Sequence, residues 1–206
     1  MSDQVQKQPF WEALNLPTPG AFISAEAYAA LPEVNFHIEW HNGVVVYPNW
    51  NEASMSPAPS LLHQSTVMRV IQLLLAIIPD GEVFTAPTDV RLGTATVQPD
   101  VFWVAVESNC VPADSQFIGP PNLIVEVLSP SNTKNDRVTK FDLYETQAVQ
   151  EYWMVNPDEE YVEVYMRQEG AFYRVGAYKS GQAFTSPRLA KVIDTTALFG
   201  DTPKGT

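Results

Sequence analysis

The chain is poor in cysteine, histidine and positive charge. Cys110 is its single cysteine in 206 residues, which excludes an intrachain disulfide and a Cys/His zinc array and suits a reducing compartment. Twelve Lys and Arg stand against 24 Asp and Glu, a formal net charge of -12. That balance argues against a generally basic surface of the kind that grips phosphate backbones. It leaves room for acidic residues gathered around a metal ion. Long apolar runs are also missing, since Val67 to Ile78 is broken by Arg69 and Gln72 and falls short of a membrane span. The polar start, Met1 to Gln8, has no apolar signal-peptide core, and Pro9-Phe10-Trp11 is too short to supply one. The expectation is a cytoplasmic protein with no membrane partner.

What remains is ordinary globular material. An apolar content of 45% and this length suit one packed domain, with no internal repeat and no low-complexity tract. We expect an N-terminal extension over 1–23, a single domain over 24–200 and a C-terminal tail over 201–206.

Local signals outline an α/β fold. Ser24 to Leu31 reads as a short helix ended by Pro32, and Phe36 to Trp40 and Val44 to Tyr47 flank Asn42-Gly43, a strong hairpin signal. Ser54 to Ser60 is a Pro- and Ser-rich loop that delivers Ser60 as a helix cap. Leu62, Val67, Val70, Ile71, Leu74, Leu75 and Ile78 then recur near helical spacing, and Pro79-Asp80-Gly81 ends the run. Strands are expected around Val83 to Ala86, Asp89 to Leu92, Pro99 to Val104 and Leu123 to Leu128. Ser129 to Thr133 breaks the last of these, Lys134 to Gln147 suits an amphipathic helix, and Glu151 to Val155 and Tyr161 to Met166 form a further hairpin. The sum is a central sheet with a helix packed on it.

Chemistry concentrates in two carboxylates. Glu126 interrupts the apolar run Leu123 to Leu128, and Asp100 follows Pro99 at the start of another strand. A carboxylate in an apolar strand is costly to desolvate unless a metal, a cation or hydrogen bonds answer it. Two acids from neighbouring strands can hold Mg2+ (or Mn2+) through oxygen, and Lys140 can add a cation that orients a nucleophile or answers developing negative charge. The bland alternatives are a Glu126 paired with Arg91 or Arg137, and a Lys140 facing solvent beside Asp136.

The order of these segments is informative. Gln98-Pro99-Asp100-Val101 is followed by Pro121-Asn122-Leu123-Ile124-Val125-Glu126-Val127-Leu128-Ser129-Pro130-Ser131, then Lys140-Phe141-Asp142-Leu143-Tyr144, then Val149 to Pro157. Together with Phe36 to Gly43 and Ser60 to Gln64, this series resembles the Uma-two family of restriction-endonuclease-like proteins over roughly Ala25 to Tyr165. The resemblance implies a PD-(D/E)XK nuclease-like fold: a mixed β-sheet flanked by helices, with an additional β-hairpin region. Asp100 and Glu126 would match the metal-binding acids. The pattern departs at Leu128, where the motif expects Lys, and at Ala148, where the family usually has Gly before Val149. Lys140, from the following helix, is the substitute ammonium.

Other candidates are weaker. The resemblance places an acid at Glu39, a further carboxylate for the cleft, while His37 and His41 at alternating positions suit either a His-Glu-His metal set or the polar face of a hairpin, the latter preferred. His63 near a helix start is a cap, a substrate contact or a packed histidine. Trp40, Tyr47, Trp50, Trp103, Tyr152 and Trp153 suit base stacking, but more often form cores or dimer interfaces. Tyr161 to Tyr165 suggests an exposed hairpin able to pair with a second copy in a homodimer. Arg69, Arg91, Lys134, Arg137 and Lys140 could line a local basic groove for nucleic acid.

The leading expectation is a Mg2+-dependent endonuclease acting on nucleic acid, DNA first, through Asp100, Glu126 and Lys140. The alternative is a catalytically silent dimeric binding or regulatory module on the same scaffold, supported by the acidic balance and by Leu128.

Overall fold

A computed structural model of the chain describes residues 9–34, 37–47, 60–129 and 135–200, with only the backbone of 135–137. Phe36, Trp50, most of the Ser54 to Ser60 loop, the Ser131 to Thr133 break, Lys134 and the side chains of Asp136 and Arg137 lie outside that description.

Capping and turn chemistry set the first elements. Helix α1 is Phe10–Ala13, and α2 is Ala25–Ala29, where Ser24 Oγ accepts the Ala27 N–H at 3.1 Å. Strands β1 (Glu39–His41) and β2 (Val44–Val46) turn at Asn42 and Gly43, both left-handed at φ 51° and 92°, as a tight hairpin turn requires. Helix α3, Leu61–Ile77, opens on Ser60, whose Oγ accepts the His63 N–H at 3.1 Å. Next come β3 (Glu82–Thr85), β4 (Asp89–Leu92), β5 (Ala95–Val97), β6 (Val101–Val104), β7 (Val111–Ala113), β8 (Gln116–Ile118) and β9 (Leu123–Val127). A π-helical turn, Asn135–Lys140, runs into α4, Phe141–Thr146. The remainder is β10 (Glu151–Asn156), β11 (Tyr161–Gln168), β12 (Ala171–Lys179), β13 (Ala183–Ser186), β14 (Lys191–Asp194) and α5 (Thr196–Phe199).

The strands form two six-stranded sheets and a two-stranded ribbon. The first sheet runs β2-β1-β5-β4-β8-β7 and the second β12-β11-β10-β9-β6-β3. Both are mixed: β4 and β8 are parallel, as are β9 and β10, and the other pairs are antiparallel. A parallel pair needs a crossover, and the π-turn with α4 supplies it between β9 and β10.

Side-chain alternation along β9 divides the core. Leu123, Val125 and Val127 join Val101, Trp103, Trp153 and Val155 against Val67, Val70 and Leu74 of α3. Ile124 and Leu128 join Phe102, Tyr152 and Met154 against Val90 and Leu92 of the first sheet and Tyr144 of α4. Glu126 therefore points to the side where the two sheets and the crossover helix meet. A third cluster holds Trp11, Leu16, Ile38, Trp40, Val45 and Tyr47.

The mixed sheet flanked by helices, with its additional hairpin region, stands as expected; the extra strands make up a second six-stranded sheet, in which short strands such as β5, β7 and β8 carry too few residues to show a period of two. Two expectations are corrected. Lys134 to Gln147 is not one amphipathic α-helix: its first part is π-helical and Val138 is exposed. Tyr161 to Tyr165 is no exposed edge, since β11 is paired on both sides and Val162 and Val164 are buried; the sheet edge is β12. Trp40, Tyr47, Trp103, Tyr152 and Trp153 are all buried, in line with the preferred reading of these aromatics as core residues.

Leu74 is fully buried where α3 meets the second sheet. Leu74→Ala should lower unfolding free energy by about 2–5 kcal/mol through lost burial and a residual cavity, read by urea denaturation.

Candidate active site

The site forms where the two sheets join. Residues 98–100 carry the chain from β5 of the first sheet to β6 of the second. Strand β6 pairs antiparallel with β9 through Val101↔Val125, Phe102↔Ile124 and Trp103↔Leu123. Continuing that register by one residue sets Asp100 across from Glu126, the two acids singled out in the sequence.

Each acid is held by its own donors. Asp100 Oδ2 accepts the Val127 N–H at 2.8 Å, and Asp100 Oδ1 lies 3.3 Å from His63 Nε2, which α3 presents in its capped first turn. Glu126 Oε1 accepts from Lys140 Nζ at 3.0 Å and from the Tyr144 hydroxyl at 2.6 Å. Lys140 ends the π-helical turn and Tyr144 sits four residues on in α4, so both reach down from the crossover.

The first sheet adds Glu39. Its Oε1 lies 3.0 Å from Lys140 Nζ and accepts the Gln98 N–H at 3.1 Å, while its Oε2 is 2.9 Å from His41 Nε2. An ionised carboxylate only accepts, so His41 Nε2 is the donor. The ammonium of Lys140 thus bridges an acid of each sheet. Glu39, Asp100, Glu126, Lys140, His63 and Tyr144 are all buried.

Electrostatics follow from this packing. Burial alone would raise the Glu39 pKa, but the Lys140 charge and the His41 hydrogen bond outweigh it and hold the carboxyl at about 2. Burial also opposes ionisation of Asp100, yet the His63 contact and the Lys140 charge bring its pKa below the usual carboxylate range. The Tyr144 phenol is pushed well up by burial and by Glu126, which fixes it as the donor. His37, half-buried, has its pKa lowered by burial against the pull of Asp100 and Glu39, so it belongs to the same electrostatic neighbourhood.

Asp100, Glu126, Lys140, Glu39 and His63 therefore come together. Lys140 is neither solvent-facing nor part of an exposed basic groove. Nor is the β1 hairpin a solvated polar face, because Glu39 and His41 are buried and bonded to each other. Tyr144 was missed as a site residue; its signal is the four-residue spacing from Lys140, masked by its aromatic character. The role of the Gln98 N–H was invisible in sequence, being a backbone group.

The donor set suits a hard divalent cation, since carboxylate oxygens are what Mg2+ and Mn2+ take. Three carboxylates against one ammonium leave a formal excess of two negative charges if the imidazoles are neutral. In arrangement, no three His, Cys, Asp or Glu side chains among the described residues converge as a metal site, and the cation between Glu39 and Glu126 is the Lys140 ammonium.

Comparison with known proteins agrees with the fold. The chain belongs to the Uma2 family, whose model, described as "Putative restriction endonuclease", matches residues 25–195. A solved structure from Anabaena variabilis, titled as a "putative nuclease belonging to DUF820", superposes with a TM-score of 0.68 at 18% identity, covering 86% of this chain and 97% of the other. No curated protein matches.

Two predictions follow from the geometry. A carboxyl depressed from 4.5 to about 2 stabilises the fold above its unfolded pKa and loses that contribution as pH falls through the folded value. Urea unfolding of wild type and Glu39→Gln across pH 6 to 2 should therefore show a shallower loss in the variant, by on the order of 3 kcal/mol. Tyr144→Phe removes a donor to a buried carboxylate and should cost about 1.5–3 kcal/mol by the same assay.

Proposed function

We propose that this chain is a Mg2+-dependent endonuclease that hydrolyses phosphodiester bonds in DNA, with Mn2+ as an alternative ion. The observation that carries the reading is the opposition of Asp100 and Glu126 across β6 and β9, with the Lys140 ammonium 3.0 Å from Glu126. Family membership and the nuclease-like fold support it. Asp100 and Glu126 would hold the ion, with Glu39 as a further carboxylate. When bound, such an ion acidifies its water and offsets charge building on the phosphate.

The protein's own groups do the rest. The Val127 N–H and His63 orient the Asp100 carboxylate, and Tyr144 orients Glu126, so neither acid must be reorganised when substrate arrives. Lys140 carries N–H donors that can answer negative charge on a phosphate oxygen. With a net charge of -12, long-range attraction of DNA is weak, and binding depends on the ion and on local contacts.

A second reading keeps the scaffold as a silent binding module. The observation behind it is that Lys140 already neutralises part of the acid cluster.

Nicking of supercoiled plasmid with Mg2+ or Mn2+ tests the first reading. Asp100→Asn, checked by circular dichroism to be folded, should reduce the rate by about 100-fold or more. Undiminished cleavage by that variant would sink the assignment, and a wild type inert on both DNA and RNA would leave the silent module.

A further inference from the structure

Lys140 occupies a place that a second cation would contest. Its Nζ sits 3.0 Å from Glu39 Oε1 and 3.0 Å from Glu126 Oε1, and all three side chains are buried. A divalent ion drawn to those oxygens would meet an ammonium at contact distance, where like charges repel strongly in a poorly screened interior. Both cations cannot keep the same carboxylate atoms.

The backbone under Lys140 is also unusual. It closes a π-helical turn at Asn135–Lys140, directly ahead of the regular helix α4. π-Helical turns are rare and concentrate at functional sites. Here the turn places Lys140 and Tyr144 on one carboxylate oxygen from successive turns of the crossover. The Lys side chain, a compact charge on a flexible four-carbon stem, can leave that contact without unfolding α4.

We propose that Lys140 is a built-in competitor for the metal: in the metal-free chain it bridges Glu39 and Glu126, and a divalent cation binds only by displacing it from at least one of them. The inference rests on the reading of these acids as hard-cation ligands. It adds a control on that site, because the intramolecular ammonium weakens metal affinity and keeps the buried acids compensated when divalent ions are scarce.

Mn2+ titration by calorimetry on wild type, Lys140→Met and Glu126→Gln separates the possibilities. The competitor predicts that Lys140→Met binds Mn2+ at least about tenfold tighter than wild type, while Glu126→Gln loses binding. Equal or weaker binding by Lys140→Met, with loss in Glu126→Gln, would overturn the competition and leave the site reading intact. No binding by wild type or Lys140→Met, or undiminished binding by Glu126→Gln, would overturn both. Because removing a buried ammonium can weaken the fold, thermal melts with and without Mn2+ provide a second readout. The ion should raise the midpoint of Lys140→Met more than that of wild type, and an equal or smaller rise would count against the competitor.

Discussion

The architecture of the site depends on one buried ammonium shared by two carboxylates. Lys140 reaches Glu39 of the first sheet and Glu126 of the second from the crossover that links β9 to β10. Taking any of these charges out of water costs several kcal/mol, and only mutual attraction with good hydrogen bonds offsets that. The position of the crossover helix over the sheet junction is thus tied to charge compensation as well as to apolar packing. The other contacts fit around this bridge: Tyr144 shares Glu126 Oε1, and the Gln98 N–H shares Glu39 Oε1.

The connection between the sheets explains why so many polar groups converge there. Gln98, Pro99 and Asp100 run between β5 and β6, where neither ladder can satisfy every backbone donor. Glu39 takes the Gln98 N–H, and Asp100 returns a carboxylate oxygen to the Val127 N–H beyond the part of β9 that pairs with β6. These bonds do structural work before any ligand arrives. They also leave the two acids aimed at one region, so the residues that satisfy the junction's hydrogen bonds are the same ones that form the candidate site.

Much of this was legible in the chain. Asn42-Gly43 and Ser60 announced their turn and cap through local chemistry, and the structure places each as expected, while Ser24, read as the start of its helix, is that helix's cap. Glu126 stood out because its neighbours are apolar, a signal that survives without knowledge of the partner strand. The second sheet was hidden, since three-residue strands depend on long-range pairing rather than on their own pattern. Tyr144 and His41 were hidden for another reason: each fits a bland role by residue type, and only the positions of Glu126 and Glu39 reveal the bond. Tyr161 to Tyr165 misled because alternation alone cannot tell an edge strand from one covered by a later hairpin partner.

The place of Lys140 follows from the same packing. Position 128 lies two residues beyond Glu126 on the same side of β9, where the family motif would put its ammonium, but Leu128 is buried in the apolar cluster with Val90, Tyr144 and Tyr152. An ammonium there would replace a side chain packed among apolar neighbours and carry the cost of its own desolvation. The crossover covers this same side of β9, with Tyr144 of α4 packed in the cluster that holds Leu128. A long side chain at its π-helical end meets both acids directly while Leu128 keeps the apolar seam closed. On the proposed nuclease reading, phosphoryl chemistry asks for a cation at a point in space, and the strand that carries it in the parent motif is one of several routes to that point. Supplying it from the crossover has a consequence of its own: an ammonium on a helix end moves with that helix, whereas one on a central strand is fixed with the sheet.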